Sequence, residues 1–256
     1  MTPTFHTILL DVQDRVATVT LNRPDSRNAL NAQMCAELVQ VMGLLALDAG
    51  VHVVLIRAAG AAFCAGADLK ERKTMSTSEM TARRVQGFAA YGAIERMPQP
   101  VIAVVQGPAF GSGCEIAAAC DFVLASADAI FCYPEVGWGT VGATQRLPRI
   151  AGARKAKELL FTGRRFDAAE ACEIGLVNQV HAPEALPSEA LEMATKIAAA
   201  SPLTVRLTKR SIDQGLATTR EGAMAIELLA IEENLRGTDW RQAIAGFGAP
   251  DQGGRA

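Results

Sequence analysis

Residues 100–126 read PVIAVVQGPAFGSGCEIAAACDFVLAS and contain a complete structural unit in one uninterrupted stretch. VIAVV is a continuous β-branched run, typical of a strand that is buried on both faces. QGPAFGSG is a glycine-rich loop, the segment containing Glu115 favours a helix, and DFVLAS is a further strand candidate. The order of strand, loop, helix and strand predicts a layered α/β core.

The same order occurs earlier in the chain, at a spacing of roughly fifty residues between the two strands. VHVVLIRA repeats the buried-strand pattern, and GAAFCAGADL repeats the small-residue loop. Ahead of them, HTILLDV and VATVTLN predict a β-hairpin, and Asn31 is placed to cap a helix through about Leu47. A helix is also expected over residues 79–96, where Pro98 and Pro100 stop it, and AIFCY is a short strand candidate.

From Gly152 onward the pattern is mainly helical, and VNQVH is interpreted as a last strand or sheet edge. Two late segments have helical periodicity, and Ser201 and Thr219 are suitable N-caps for them. We therefore divide the chain into a core at residues 1–195 and a C-terminal helical region at residues 196–256. The GAPDQGGRA ending is expected to fray.

The composition excludes several classes of protein. Hydrophobic residues make up 50% of the 256 residues and charged residues 20%, which is enough for a sizeable core. The formal net charge is −2, from 25 basic and 27 acidic residues, and this favours neither a nucleic-acid surface nor a polybasic membrane contact. The first residues lack a signal-peptide pattern and the apolar runs are too short to span a bilayer, so we expect a cytoplasmic protein.

Cysteine and histidine are too scattered to indicate a metal centre. The six cysteines fall at irregular spacings without a C-x-x-C pair, and the three histidines lie far from one another. Neither a metal site nor a disulfide framework is expected from this pattern. Most of the cysteines are interpreted as small buried hydrophobic residues.

The two glycine-rich loops are the first candidates for function. Each follows a buried strand, and small residues allow a substrate to approach the backbone closely. Backbone N–H groups at the start of a helix have no intrahelical partner and form a ready anion site. One amide from each loop could therefore hold a single oxygen whose negative charge grows during a reaction.

Two carboxylates accompany these loops. Glu115 falls in the first turn of the predicted helix, and Glu135 follows Pro134, which favours a loop position over a strand interior. In a semi-apolar pocket both would have raised pKa values and could exchange protons as acid and base. Each also has an ordinary structural interpretation, because a helix dipole favours an acidic first turn and a loop carboxylate is common. The residues alone therefore predict only a candidate site.

Six segments together resemble one known family, the crotonase or enoyl-CoA hydratase/isomerase superfamily, over nearly the whole chain. They occur in the family's order and at near-family spacing. The segments are LNRPDSRNALN, AFCAGADL, PVIAVVQGPAFGSGCEIAAACDFVLAS, FCYPEVGWG, TQRLPRIAG and LLFTGRRFDAAEACEIGLVNQV.

The resemblance implies a fold, a substrate and a mechanism. The fold would be a spiral of repeated ββα units, with C-terminal helices that assemble the chain into a homotrimer or homohexamer. The substrate would be an acyl-CoA thioester, whose oxygen the backbone N–H groups of Ala67 and Ser112 would hold. Glu115 and Glu135 match the family's two catalytic glutamates, and the presence of both favours hydration of an enoyl-CoA, or its reverse. No metal or redox cofactor is implied.

The resemblance also implies positions for coenzyme A. Arg27 lies in the segment that relatives place near the nucleotide, and Lys70 follows the first glycine-rich loop. The implied CoA-binding residues are Arg27, Ala29, Ala65, Asp68 and Lys70. Lys209 or Arg210 on the late helix could reach a phosphate, although a solvated surface charge is the commoner role of any single Lys or Arg.

The sequence departs from the family pattern in three places. Gly111-Ser112-Gly113 stands where relatives usually have three glycines, so a serine side chain must find room. The GTVGATQRL loop after Glu135 lacks a Pro-Gly pair and is about three residues shorter, which makes Trp138 and Val141 the candidates to line the acyl pocket. The usual basic, proline-containing C-terminus is missing.

Other functions remain to be weighed. A serine hydrolase using Ser112 would need a glycine where Phe110 stands, and no histidine has a motif that links it to Ser112. A dinucleotide-binding oxidoreductase would need the G-x-G-x-x-G spacing, which is absent. A non-catalytic member of the family has no reason to keep both glutamates. A Δ3–Δ2 enoyl-CoA isomerase, a hydroxyacyl-CoA dehydratase and a hydratase of cyclic or branched enoyl-CoA stay open.

Overall fold

The strands and helices are taken from a computed structural model, which describes residues 4–241. The strands are β1 Ile8–Gln13, β2 Val16–Leu21, β3 Val53–Ala58, β4 Val101–Val105, β5 Ala109–Phe110, β6 Phe122–Ser126, β7 Ile130–Cys132, β8 Arg165–Asp167 and β9 Gln179–His181. The helices are α1 Ala32–Leu47, α2 Leu69–Arg72, α3 Thr77–Glu95, α4 Ser112–Ala119, α5 Arg146–Thr162, α6 Ala168–Glu173, α7 Leu186–Ala198, α8 Pro202–Gly215 and α9 Arg220–Gly237. The predicted ending at residues 248–256 lies outside the described residues.

The strands form two sheets, and the chain alternates between them. The larger sheet has the order β1-β2-β3-β4-β6-β9, antiparallel between β1 and β2 and parallel elsewhere. The smaller sheet has the order β5-β7-β8. The chain passes from β4 to β5, through α4 to β6, and then to β7, so each of these two turns contributes one strand to each sheet. This winding confirms the predicted spiral of ββα units.

The central strands β3 and β4 of the larger sheet are buried on both faces over most of their length, as the β-branched runs predict. Val53 and Leu55 of β3 pack in a cluster with Leu186 and Ala190 of α7. The alternating residues of the same strand, Val54 and Ile56, belong to a second cluster with residues of α1, α3 and α4. Because successive side chains of a strand point to opposite faces, this division follows directly from the continuous apolar sequence.

Local signals explain where several helices begin. The Asn31 side chain accepts a hydrogen bond from the Met34 amide and confirms the predicted cap of α1. In α3, Ser76 and Glu79 form a capping box, in which each side chain bonds the other residue's backbone. The helix ends at Glu95, ahead of the two prolines that were expected to stop it.

Strand β8 was not predicted. It has three residues, pairs antiparallel with β7, and contributes only Phe166 to the core. The Phe166 ring stacks on Phe131 with ring centres 5.6 Å apart. A three-residue strand with polar residues on either side of one phenylalanine has no recognisable period. It therefore could not be distinguished from the mainly helical pattern of the sequence around it.

The chain divides into two compact units, Met1–Ala199 and Ala200–Ala256. Both sheets and helices α1–α7 belong to the first unit. The described part of the second unit contains α8 and α9, which begin at the predicted caps Ser201 and Thr219. The predicted boundary after residue 195 falls within α7. Among the described helices, none is long and apolar enough to cross a membrane.

Candidate active site

The two glycine-rich loops contact each other directly. The Cys64 amide donates to the Pro108 carbonyl at 3.1 Å, and the Phe110 amide donates to the Cys64 carbonyl at 2.9 Å. A Cβ atom at Gly113 would lie 2.3 Å from the Cys64 carbonyl oxygen, so this approach requires glycine. Two loops that are about fifty residues apart in sequence are thereby joined at one place.

The amides of Ala67 and Ser112 are left free by this arrangement. Gly66 and Asp68 both hydrogen-bond Leu30, so the alternation of an extended chain turns the Ala67 N–H away from Leu30. Ser112 is the first residue of α4 and precedes its first intrahelical bond. Within residues 4–241, neither N–H has a backbone acceptor.

Both amides belong to residues of one cavity. This amide cavity has a volume of about 90 Å³ and is lined by Ala65, Gly66, Ala67, Leu69, Arg72, Arg84, Gly111, Ser112, Pro134, Glu135, Trp138 and Thr140. The Ser112 side chain lies beside the Tyr91 hydroxyl group.

Glu115 lies in the first turn of α4 and is only 5% exposed. Its Oε2 atom accepts a hydrogen bond from Arg146 Nη1 at 2.9 Å, and Arg146 Nη2 lies 2.8 Å from Glu95 Oε2. The Arg146 guanidinium also lies over the Tyr91 ring, 5.5 Å from its centre. The other oxygen of Glu115, Oε1, is buried and has no hydrogen-bond partner in the described chain. One oxygen is therefore fixed by an ion pair and the other is free to bind a ligand.

The electrostatic environment of Glu115 combines opposing effects. Burial raises its pKa and is the largest effect, and the charges of Glu135 and Glu95 act in the same direction. The ion pair and hydrogen bond with Arg146 lower it, and the pKa remains raised above the usual value. Arg146 is therefore the group that favours the ionised form of this buried carboxyl.

Glu135 is the first residue of a short 3₁₀ helix, Glu135–Trp138, directly after Pro134. Its Oε2 atom is buried and lacks a hydrogen-bond partner among the described residues. Burial raises its pKa, while its own amide and the charges of Arg84 and Arg72 oppose that shift. Glycines make room for it, because a Cβ at Gly111 would lie 2.7 Å from Oε1 and one at Gly142 would lie 2.9 Å from Cγ.

The two glutamates share a second cavity of about 40 Å³. This acid cavity is lined by Leu30, Arg72, Arg83, Arg84, Gly87, Phe88, Tyr91, Ser112, Glu115, Glu135, Gly142 and Ala143. Since a buried water needs roughly 10–15 Å³ of such space and two or more polar partners, the cavity has room for water between the two carboxyl groups. Ser112 and Glu135 line both cavities, which places the free amides next to the acid pair.

The residues predicted to bind coenzyme A lie around the first loop. Arg27 is exposed, in the left-handed region with φ 50°, and its carbonyl accepts from the Ala65 amide at 3.0 Å. Ala65 lines the amide cavity, and Lys70 is exposed on α2. These positions are compatible with a ligand that enters along this loop, and the predicted roles remain predictions.

The other two predicted CoA residues hold the loop together. Asp68 caps α2 by accepting from the Lys70 and Glu71 amides, and it pairs with Arg23 at 3.0 Å. The Ala29 carbonyl accepts a hydrogen bond from the same Arg23 guanidinium. On the late helix α8, Arg210 pairs with Glu233 at 2.5 Å.

Trp138 and Val141 occupy different positions relative to the site. Trp138 lines the amide cavity and remains 67% exposed. The Val141 side chain is 79% exposed and lines neither cavity, whereas its carbonyl accepts a hydrogen bond from Arg84 Nη1 at 2.7 Å. Arg84 also bonds Thr140, so it is Arg84 that holds the shortened loop after Glu135.

Three arginines that surround the acid pair have roles that the sequence did not predict. Arg146 lies in the TQRLPRIAG segment, where the motif was noted without a role for its arginine. Arg72 follows the first loop by only a few residues, and Arg84 lies on the predicted helix. No local pattern distinguishes these three from solvated surface charges, which are the usual state of arginine.

Known proteins are similar to this chain in both sequence and fold. Residues 11–248 match the family model described as enoyl-CoA hydratase/isomerase. The short-chain-enoyl-CoA hydratase of Clostridium acetobutylicum is 40% identical over 94% of each chain, and the crotonyl-CoA hydratase of Syntrophomonas wolfei is 37% identical over 95% of each. The crystal structure of an enoyl-CoA hydratase from Bacillus anthracis matches with a TM-score of 0.92 at 35% identity, covering 94% of this chain and 96% of that one. The chain therefore belongs to the enoyl-CoA hydratase/isomerase family.

Proposed function

We propose that this protein adds water to an α,β-unsaturated acyl-CoA thioester to form a 3-hydroxyacyl-CoA, or catalyses the reverse dehydration. The proposal is carried by one arrangement: two buried glutamates, each with an unpartnered carboxyl oxygen in the described chain, beside the free amides of Ala67 and Ser112. Similarity to a short-chain-enoyl-CoA hydratase and a crotonyl-CoA hydratase supports the same reaction class.

In this mechanism the Ala67 and Ser112 amides hold the thioester carbonyl oxygen. Addition of water at Cβ moves electrons toward that oxygen, and the intermediate is an enolate whose negative charge the two amides stabilise. Loss of one such donor typically costs about 2.7–4 kcal/mol of barrier. The backbone supplies both donors, so the serine at position 112 does not weaken this interaction.

The two glutamates then move the protons. Glu115 Oε1 takes a proton from water as the water oxygen bonds Cβ, and the protonated Glu135 donates its proton to Cα as the enolate returns to a thioester. Arg146 favours the ionised form of Glu115 before reaction, and burial favours the protonated form of Glu135. A proton passed from Glu115 to Glu135 through solvent restores both groups, and one water has been added. The proposed chemistry needs no metal or redox cofactor.

The test is loss of enoyl-thioester absorbance with crotonyl, longer linear, branched and cyclic enoyl-CoA substrates. Glu115→Gln and Glu135→Gln should each lower kcat by at least about 10²-fold while calorimetric binding of the product is kept. Glu173→Gln, at an exposed carboxylate, is the matched control. Unchanged turnover in either active-site variant removes that residue from the mechanism. A double-bond shift that depends on Glu135 but not on Glu115 would instead indicate a Δ3–Δ2 isomerase.

We also propose that the chain assembles into a homotrimer or homohexamer through its second unit. Helices α8 and α9 and the C-cap residue of α8 carry large apolar side chains that are about half or more exposed in the single chain: Ile212, Leu216, Met224, Leu228, Leu229, Ile231 and Leu235. Large apolar side chains exposed in this number are typical of a surface that another chain covers. A cytoplasmic location remains a prediction.

A further inference from the structure

An excess of positive charge lies beside the acid pair. Arg72, Arg83 and Arg84, from α2 and α3, line the acid cavity, and two of them also line the amide cavity. Arg83 has an anionic partner, because its Nε lies 2.7 Å from Glu71 Oε2. The question is what neutralises the other two arginines.

Arg72 has no anion of its own. Its Nε atom is buried without a hydrogen-bond partner, and its side chain forms no ion pair within residues 4–241. Burial lowers its pKa, and the nearby charges of Arg84 and Arg83 lower it further. The charge of Glu71 raises the pKa of Arg72, but Glu71 is ion-paired with Arg83 and not with Arg72. A partly buried guanidinium that lacks an ion-pair partner is costly unless an anion completes the site.

Arg84 is bound only to neutral oxygens. It donates to the Val141 carbonyl and the Thr140 hydroxyl, which uses two of its five N–H groups, and it too forms no ion pair in the described part of the chain. A Cβ atom added at Gly142 would lie 3.4 Å from Arg84 Nη1 and 2.9 Å from Glu135 Cγ. Arg84 therefore approaches the acid pair from the side of the shortened loop.

Glu135 does not neutralise this pair of arginines. It forms no ion pair with any described residue, and its pKa is raised despite the two positive charges. In the proposed reaction it enters the cycle protonated and thus uncharged. Two positive charges consequently line both the amide cavity and the acid cavity.

We propose that Arg72 and Arg84 bind a carboxylate at the far end of the acyl group, so that the preferred substrate is the CoA monothioester of an unsaturated dicarboxylic acid. This inference rests on the proposed hydration. Guanidinium groups match the planar geometry of a carboxylate and bind it with charge-assisted hydrogen bonds. The acyl group is the favoured source of the anion, because both arginines share their cavities with Glu135, whereas the predicted nucleotide-side residues Arg27 and Lys70 are exposed.

The test compares two substrates of the same shape. Glutaconyl-CoA carries a carboxylate one methylene beyond its double bond, and 5-methylhex-2-enoyl-CoA has an isopropyl group in its place. The wild-type protein should show a kcat/KM for glutaconyl-CoA at least about tenfold higher, the range of a charge-assisted hydrogen bond. Arg72→Gln and Arg84→Gln should each reduce this ratio about tenfold, and Lys73→Gln, at an exposed neighbouring cation, should leave it unchanged.

The outcomes separate this inference from the proposed function. Equal or faster hydration of the isopropyl substrate by the wild-type protein overturns carboxylate recognition and leaves hydration standing. A loss in the two arginine variants that is the same for both substrates also overturns it, because the arginines would then act on coenzyme A or on Glu135. No hydration of either substrate or of crotonyl-CoA removes both proposals.

Discussion

At the scale of single residues, Arg146 gives the two oxygens of Glu115 different roles. It bonds Oε2 at 2.9 Å, and it leaves Oε1 buried without a hydrogen-bond partner in the described chain. Because Arg146 also pairs with Glu95 and lies over Tyr91, its guanidinium is held from three sides. We therefore expect Arg146 to act as a positioning residue that sets the protonation state of the base.

The variant Arg146→Gln should move the acid limb of the pH profile of kcat/KM to higher pH. Glu115 must be ionised to accept a proton, so activity is lost as the pH falls through its pKa. Burial already raises that pKa and Arg146 lowers it, so removal of the arginine raises it further. The other charged or titratable groups near the carboxyl, which stay in place, are Glu95, Glu135, Arg72, Arg83, Arg84, Tyr91, Cys114 and Tyr133.

The matched control for this prediction is Arg149→Gln. Arg149 lies one turn further along α5, is exposed, and bonds Gln145 rather than the site. Its replacement should leave both limbs of the profile unchanged. A merely structural role for Arg146 would lower kcat at every pH without moving the acid limb, and that result would contradict the assignment.

At the scale of elements, the site depends on contact between the loop at residues 62–69 and the start of α4. Gly113→Ala should disturb this contact, because the new Cβ would lie 2.3 Å from the Cys64 carbonyl oxygen and the backbone must move. Overpacking of this kind costs about 1–3 kcal/mol of stability. Since the free amides of Ala67 and Ser112 belong to the two displaced segments, kcat should fall by about 10²-fold.

Gly43→Ala is the control for backbone changes at glycine. Gly43 is exposed in the middle of α1, and its Cβ would meet nothing within 4 Å. Alanine there should raise the free energy of unfolding by about 0.5–1 kcal/mol without affecting turnover. Urea unfolding and the absorbance assay measure both effects. Full activity of Gly113→Ala would show that the two amides do not need this approach.

The same elements show what the sequence can predict. β3 and β4 are continuous β-branched runs and α1 has an N-cap at Asn31, so the places of these elements were predicted closely. In contrast, β5 and β8 have only two and three residues and no period. Glu115 and Glu135 were predicted as candidate site residues from short sequence motifs. The roles of Arg84 and Arg146 depend on contacts 57 and 31 residues away, with Val141 and Glu115 respectively, and only the folded chain shows them.

At the scale of the whole molecule, the net charge does not reveal the positive charge that lines the cavity. The chain carries −2 overall, yet Arg72 and Arg84 face the acid pair without an anionic partner among residues 4–241. The near-balance of acidic and basic residues argues against a broad basic patch and says nothing about a local group of cations. A local site of two cations is too small to change the total, and its ligand must be inferred from geometry.

The exposed apolar residues of α9 allow a test of the proposed assembly. α9 carries Leu229 on an exposed side of the helix, where its side chain is 64% exposed in the single chain. If a partner chain covers that side, Leu229→Glu would bury an unpaired carboxylate at the interface, which costs several kcal/mol. Sedimentation of the wild-type protein should give about 81 or 162 kDa, three or six times the 27.0 kDa of one chain, and the variant should shift toward 27.0 kDa.

The control makes the same change elsewhere on the surface. Leu47, at the end of α1 in the first unit, is 88% exposed, and Leu47→Glu should leave the sedimenting mass unchanged. Circular dichroism should show that α8 and α9 keep their helices in Leu229→Glu, since glutamate favours helix and replaces a residue that packs little in the single chain. A wild-type mass of 27.0 kDa, or an assembly that Leu47→Glu and not Leu229→Glu disrupts, would mean that the second unit does not join the chains.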